Sequence, residues 1–507
     1  MRFPVVGALR LTLAAGAGVG LLAAATQSAG GLDLAGPAST AATASDRPDA
    51  GTDTPSEGGP GGQVLIRTKV LTCPGQELSG TVGVPDVSVA GTIRAVALPR
   101  ELLPQAPAGP GSVGILLGDA APAGPATVAE PNTVASSELP AGDSPVTVLA
   151  TGSLAPGVTA GQEWRGTSDT VHGLAGSACT SPQADLWLIA GGGAPGRQER
   201  LVLTNPGANE VTASLDILGA QGRVTAGHDR GIVVPAGSRA VVLVDAIAGS
   251  EPSPVVHVTV SGGTVAATLT DTWLDGSVAA GAETAGPAAP PATRQVIPVA
   301  LRAQSGSVRI GVPGDTQAVV SARVLTATGP VPLPGLEGVQ RIQAHSVLEL
   351  PLPAQSPDIV GVEIRSDVPI VAAALSQVRA DGGVGDFAWS AGSPAITGIA
   401  GAALATGDGA PGRTLTMVAS TAEVSATVVI LSGGALTVRN VTVPADSVHT
   451  EDLGSPDAVW LQRTGGAGEL RAGILSQVGS GPGALISALD LRDLPTTTTA
   501  TTAVPLP

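Results

Sequence analysis

The chain has 507 residues, too many for one ordinary hydrophobic core, and carries a formal net charge of −16. That acidity is spread without long runs and opposes nucleic acids and anionic lipid headgroups, whose binding needs a basic footprint. Hydrophobic residues make up 43% but aromatics only 1%, with no Tyr, so the cores must be built from Val, Leu, Ile and Ala.

Lys69 is the only lysine. A P-loop lysine, a Schiff-base lysine or a Lys-rich phosphate patch is therefore excluded unless Lys69 supplies it. Gly (70) and Pro (43) punctuate short Val/Thr-rich runs instead of forming one block, which is the pattern of many short strands.

Residues 1–32 have the form of an export signal: Arg2 and Arg10, an uncharged Leu11–Ala25 stretch, then Ala23-Ala24-Ala25 as a cleavage point. The uncharged run continues to Leu32, so the segment serves either as a cleaved signal peptide or as an N-terminal membrane anchor. No later segment reads as membrane-spanning. Residues 33–62 and the tail 494–507 are Ala/Thr/Pro/Gly-rich without hydrophobic period and are expected to be disordered. An exported chain with two cysteines, Cys73 and Cys179, is expected to join them in a disulfide within an N-terminal β domain, residues 63–183.

Beyond that domain lies an internal repeat. Val234-Pro235-Ala236-Gly237-Ser238, Gln343-Ala344-His345-Ser346 and Val443-Pro444-Ala445-Asp446-Ser447 are each followed by an apolar run. About thirty residues later come Leu269-Thr270-Asp271, Leu375-Ser376-Gln377 and Leu475-Ser476-Gln477 at the ends of further runs. In Val211–Leu218 the apolar residues Val211, Ala213, Leu215 and Ile217 alternate with Thr212, Ser214 and Asp216, a period of two. Units of about a hundred residues with turns every 8–12 predict serial Ig-like β-sandwiches at 184–290, 291–398 and 399–493, in an all-β chain.

The candidate chemistry is sparse. His345 beside Ser346 looks like a base and nucleophile, yet Gly237 and Asp446 hold the equivalent of His345, so the serine tracks a turn. The other histidines, His172, His228, His257 and His449, form no metal-binding spacing, and no metal or cofactor is expected. Gly191-Gly192-Gly193 follows a strand but precedes another strand, which leaves no helix N-terminus for a dinucleotide. Asp381 and Asp386 offer two carboxylates to Ca²⁺ but lack the alternating ligands of a Ca²⁺ loop. Of the tryptophans, Trp273 and Trp389 lie beyond the second repeat run and are the candidate ligand contacts, the others being core plugs.

Asp185-Leu186-Trp187-Leu188-Ile189-Ala190-Gly191-Gly192 after Cys179, then Leu201-Val202-Leu203-Thr204-Asn205-Pro206-Gly207, with the Val-Pro-Ala-Gly-Ser turn and Leu-Ser-Gln ends, resembles the DUF5719 family. This groups exported proteins of unknown function from high-GC Gram-positive bacteria. The resemblance implies an extracytoplasmic strand-rich architecture and adds no catalytic residue. The expected function is a non-enzymatic cell-envelope protein, structural, adhesive or an accessory binding module, secreted or anchored by its N-terminus. Its expected partner is an envelope protein or cell-wall glycan. The alternatives are a surface hydrolase or glycan-modifying enzyme with an inter-domain site, and a carbohydrate-binding protein with exposed tryptophan faces.

Overall fold

A computed structural model describes residues 63–499 apart from 104, 106, 108, 119–123, 226–230, 303, 337, 356–358 and 380–382. The expected signal or anchor and the spacer at 1–62 lie outside the described residues. What is described is almost entirely antiparallel β structure arranged as four two-sheet sandwiches, at 68–178, 185–285, 292–391 and 399–490.

The alternation in the sequence is the alternation of burial. In Val211–Gly219, Val211, Ala213, Leu215 and Ile217 are buried while Thr212, Ser214 and Asp216 are not, as a strand with one face on a core requires. Each sandwich uses the same strand order. Its first, sixth, third and fourth strands make one sheet, and its fifth, second, seventh and eighth make the other. In the fourth sandwich these are Ile399–Ala403, Ala458–Gly466, Val424–Ser432 and Ala435–Val443, facing Ser447–Gly454, Gly412–Ser420, Glu469–Val478 and Leu485–Asp490. In the third, one strand, Ile359–Arg379, supplies both the sixth and seventh positions by crossing from sheet to sheet.

The N-terminal domain is therefore a fourth copy of the repeat. Its disguise is local. Before their fifth strands the other three sandwiches turn at Gly237, His345 and Asp446, with φ of 59°, 57° and 53°. The first turns at Asn132, with φ of 58°, in the sequence Pro131-Asn132-Thr133. Asn tolerates the left-handed region almost as Gly does, so the conformation persists although the A-x-S signature does not. The Cys73–Cys179 disulfide is formed. It joins the first strand of this sandwich to the exit from its eighth, beside the paired backbones of Thr72 and Thr180.

The sandwiches close on themselves. The four eighth strands, His172–Ala178, Val278–Ala285, Gly385–Ala391 and Leu485–Asp490, pack against one another in a cycle, first to second to third to fourth and back to first. The fourth sandwich grips the first through Arg413–Glu163 at 2.8 Å and Arg94–Asp457 at 2.6 Å. An apolar cluster of Val96, Leu98, Ala403, Val429 and Trp460 lies at the same junction. Third and fourth meet through Arg323–Asp446 at 2.7 Å and the cluster Val296, Leu325, Val418 and Val448. Finally Gln63–Leu65 pairs with Thr497–Thr499, Val64 opposite Thr498, so both ends of the described chain sit together. Within the tail expected to be disordered from 494, Thr497–Thr499 is a short strand, because a run of β-branched threonines finds a partner in Gln63–Leu65.

Candidate functional site

The axis of the ring is the most distinctive chemistry in the molecule. Each eighth strand ends its sheet, so one row of its backbone groups has no sheet partner and faces the axis. Buried amides without acceptors are costly. Carboxylates supply the acceptors here. Asp386 Oδ2 accepts from Leu174 N at 3.0 Å and Ile486 N at 2.8 Å. Its Oδ1 accepts from Ala282 N at 3.1 Å and Phe387 N at 2.9 Å. One carboxylate thereby holds all four inner strands.

Glu283 repeats the device one layer away, accepting from Gly176 N, Thr284 N, Ala488 N and Ser487 Oγ at 2.9–3.3 Å. Asp490 accepts from Ser390 Oγ at 2.8 Å and Ala391 N at 2.9 Å. The approach is so close that a Cβ at Gly173 would lie 2.6 Å from Ala282 N and 2.8 Å from Asp386 Oδ1. Burial raises the pKa of Asp386 and Glu283 well above the carboxylate range, against the pull of the amides. Glu77, between the first and second sandwiches, accepts from Trp164 Nε1 and from Thr284 Oγ1 at 2.6 Å. Burial pushes it up to about 7.

A second charged cluster fills the junction of the second and third sandwiches, and it collects both candidate ligand contacts. Trp389 is 3% exposed, donates Nε1 to Asp271 Oδ2 at 2.9 Å and lies under Arg309 at 4.7 Å. Trp273 is half-buried, with Arg197 at 5.8 Å and Arg379 at 5.4 Å from its ring centre. Arg197 grips both oxygens of Asp271 at 2.8 and 2.5 Å. Arg309 bonds Glu349 at 2.9 Å and the carbonyls of Ala190, Gly191 and Pro254 across the junction. Burial, with Asp271 alongside, pushes Glu199 up to about 8. Trp164, Trp187 and Trp460 are buried as well, so among the tryptophans Trp273 alone keeps part of its surface in reach of solvent.

The remaining motifs resolve into structure. Ser238, Ser346 and Ser447 each donate Oγ to the carbonyl three residues back, Pro235, Gln343 and Pro444, at 2.7–2.8 Å. His345 turns to Asp315 at 2.8 Å and Arg223 at 3.4 Å instead. The amides of Gly191 and Gly192 donate to Asp271 and Glu199, so this glycine loop cradles the protein's own carboxylates. Asp386 is the ring's central acceptor, and Asp381 and His228 lie outside the described residues. His172, His257 and His449 contact Gly385 O, Asp185 and Glu451 in separate places. Among the described residues no group of three His, Cys, Asp or Glu is placed to hold a metal.

A cavity of about 180 Å³ remains beside the disulfide, lined by Lys69, Leu71, Val158, Leu489, Arg492 and Leu494 among others. Sequence reasoning missed it, and of the axial carboxylates it singled out only Asp386, as a Ca²⁺ candidate and not as an acceptor of strand amides. A signal for the latter existed: Glu283, Asp386 and Asp490 are lone acids in otherwise uncharged strands.

Residues 133–453 match the model of a family of unknown function, DUF5719. The chain belongs to that family. No curated protein matches the chain. The DUF5719 match opens just after the Asn132 turn and closes within the fifth strand of the fourth sandwich, so it contains Glu283, Asp386 and the whole Arg197–Arg309 cluster. Lys69, Cys73, Glu77 and Asp490 lie outside the matched residues.

Proposed function

We propose that this DUF5719 protein is a non-enzymatic, exported cell-envelope protein whose closed ring serves as a rigid structural or adhesive module. The observation that carries the reading is the Cys73–Cys179 disulfide, which persists in oxidising compartments and is rare in reducing ones. It agrees with the export pattern at residues 1–32. Among the described residues no helix is long and apolar enough to cross a membrane. The strongly perturbed carboxyls Glu77, Glu283 and Asp386 are each bound into the packing between sandwiches. That is the role of structural acceptors and supports rigidity as their purpose. Partner recognition then falls to the outer surfaces, whose acidic balance suits an envelope protein or a neutral glycan over a polyanion.

The test is a fusion of residues 1–62 to a phosphatase that is active only outside the cytoplasm, run beside thiol alkylation of the full chain. An active fusion and two unalkylated cysteines are expected. An inactive fusion with both thiols alkylated overturns the location. Binding of the full chain to purified envelope, without turnover of its glycan, is expected in addition; release of glycan fragments contradicts the non-enzymatic part.

A further inference from the structure

The cavity beside the disulfide goes beyond the envelope reading, because its chemistry is independent of where the protein resides. It lies between the first strand of the first sandwich, the link at Cys179–Gln183, Pro287, Gly401 and residues 489–495. Its walls are mostly apolar: Leu71, Val158, Leu489, Leu491, Leu494 and Pro495. Three further charged side chains line it, and all are committed. Asp490 holds Ser390 and Ala391. Asp493 accepts from Thr397 N at 2.9 Å, Thr397 Oγ1 at 2.6 Å and Gly398 N at 3.1 Å. Arg492 donates to Pro287 O.

Lys69 is different. It sits on Thr68–Cys73 on the same strand face as Leu71 and Cys73, half-buried. No described carboxylate or carbonyl pairs with its Nζ, and burial alone lowers its pKa, with no acid to oppose it. A half-buried ammonium without a partner loses part of its hydration and gains nothing in return, so the cavity holds one uncommitted cation against an apolar wall. A way in exists, since Asp493, Leu494 and Pro495 are shared with a wider groove of about 420 Å³.

We propose that this cavity is a binding site for a small apolar monocarboxylate, its carboxylate paired with Lys69 and its body against Leu71, Val158, Leu489 and Leu491. Size sets one limit: apolar cavities of about 150 Å³ take benzene, so a cavity of about 180 Å³ that opens on the neighbouring groove suits a ligand only a little larger than benzene. Charge sets the other. Asp490, Arg492 and Asp493 line the same space but are already bonded within the protein, so one carboxylate answers the one free ammonium and a dianion such as phosphate leaves a charge unmatched.

The single lysine makes the test direct. Reductive methylation of the full chain with ¹³C-formaldehyde gives one lysine signal and preserves its charge. Titration with benzoate is expected to move that signal saturably and to raise its pKa, whereas benzyl alcohol and inorganic phosphate leave it in place. By calorimetry, Lys69→Met is expected to weaken benzoate binding about tenfold or more. The methylated wild-type chain decides the matter even if Lys69→Met does not fold. No saturable shift with benzoate, or an equal shift with benzyl alcohol, overturns the proposal, as does unchanged benzoate affinity in a folded Lys69→Met variant.

Discussion

The axis and the disulfide-side cavity both withdraw an ionisable side chain from water, Asp386 wholly and Lys69 by half, and they treat it oppositely. At the axis Asp386 meets four amides from four strands. In the cavity the Lys69 ammonium meets no described acceptor. A buried charge whose hydrogen-bonding capacity is filled locks the elements that fill it. A cation left open holds nothing together and keeps its capacity for something that arrives from outside. The same contrast separates Trp389, bonded and buried, from half-buried Trp273.

The largest effect that could break this comparison is at the axis. Asp386→Ala leaves amides of all four inner strands without their acceptor and is expected to cost about 3–5 kcal/mol, read as a fall in the calorimetric Tm. A change no larger than about 0.5 kcal/mol, typical of a surface site, would contradict the axial role. Next comes the disulfide. Replacing Cys73 and Cys179 by Ser removes a link between residues 106 apart and is expected to cost about 2–5 kcal/mol. Reductant should then destabilise the wild type and leave the double variant unaffected.

The pH dependence is shared between two groups and has a definite sign. Glu77 and Glu199 titrate at about 7 and about 8 when folded, against 4.5 for the ordinary group. The folded state therefore holds more protons than the unfolded state between these values, and stability falls as pH rises from about 5 to 8. At about 1.4 kcal/mol per unit the two groups together give a loss on the order of 6 kcal/mol over that window. Glu77→Gln should flatten the lower part of the slope in urea titrations at stepped pH, and an unchanged slope would remove Glu77 from the account. Smallest is the turn. His345 holds a φ of 57°, so His345→Gly relieves about 1 kcal/mol of left-handed strain, while Ser447→Ala forfeits the bond to Pro444 O and should cost about 1 kcal/mol.

Much of the fold was legible where local rules act alone. Alternation in Val211–Leu218 and the Ala-x-Ser turns mark strands and their period, and the turn serine was separable from catalysis because His345 is not repeated. The first sandwich escaped detection as a repeat because its turn keeps the conformation at Asn132 but loses the residues. Thr497–Thr499 read as tail because its partner, Gln63–Leu65, is more than 430 positions away, at the other end of the described residues. The same limit hid the site. Glu283 and Asp386 gain their meaning from amides that face an axis built by four sandwiches, and no local pattern announces which edge amides will be buried. Lys69 was countable as the only lysine, but its surroundings come from residues more than 80 positions away, at Val158, Cys179 and Leu489.

The closed ring is the claim on which the axis, the junctions and the cavity all rest, and its ends give the most direct test. Val64 and Thr498 are Cα partners in the pairing of the two ends of the described chain, and antiparallel partners lie about 4.5–5.5 Å apart, within disulfide reach. In a Val64→Cys, Thr498→Cys variant, mild oxidation followed by mass spectrometry of the monomer is predicted to show a second intramolecular disulfide joining the two ends. A row of sandwiches that does not close would leave both new thiols free in the monomer, and that result would contradict the ring.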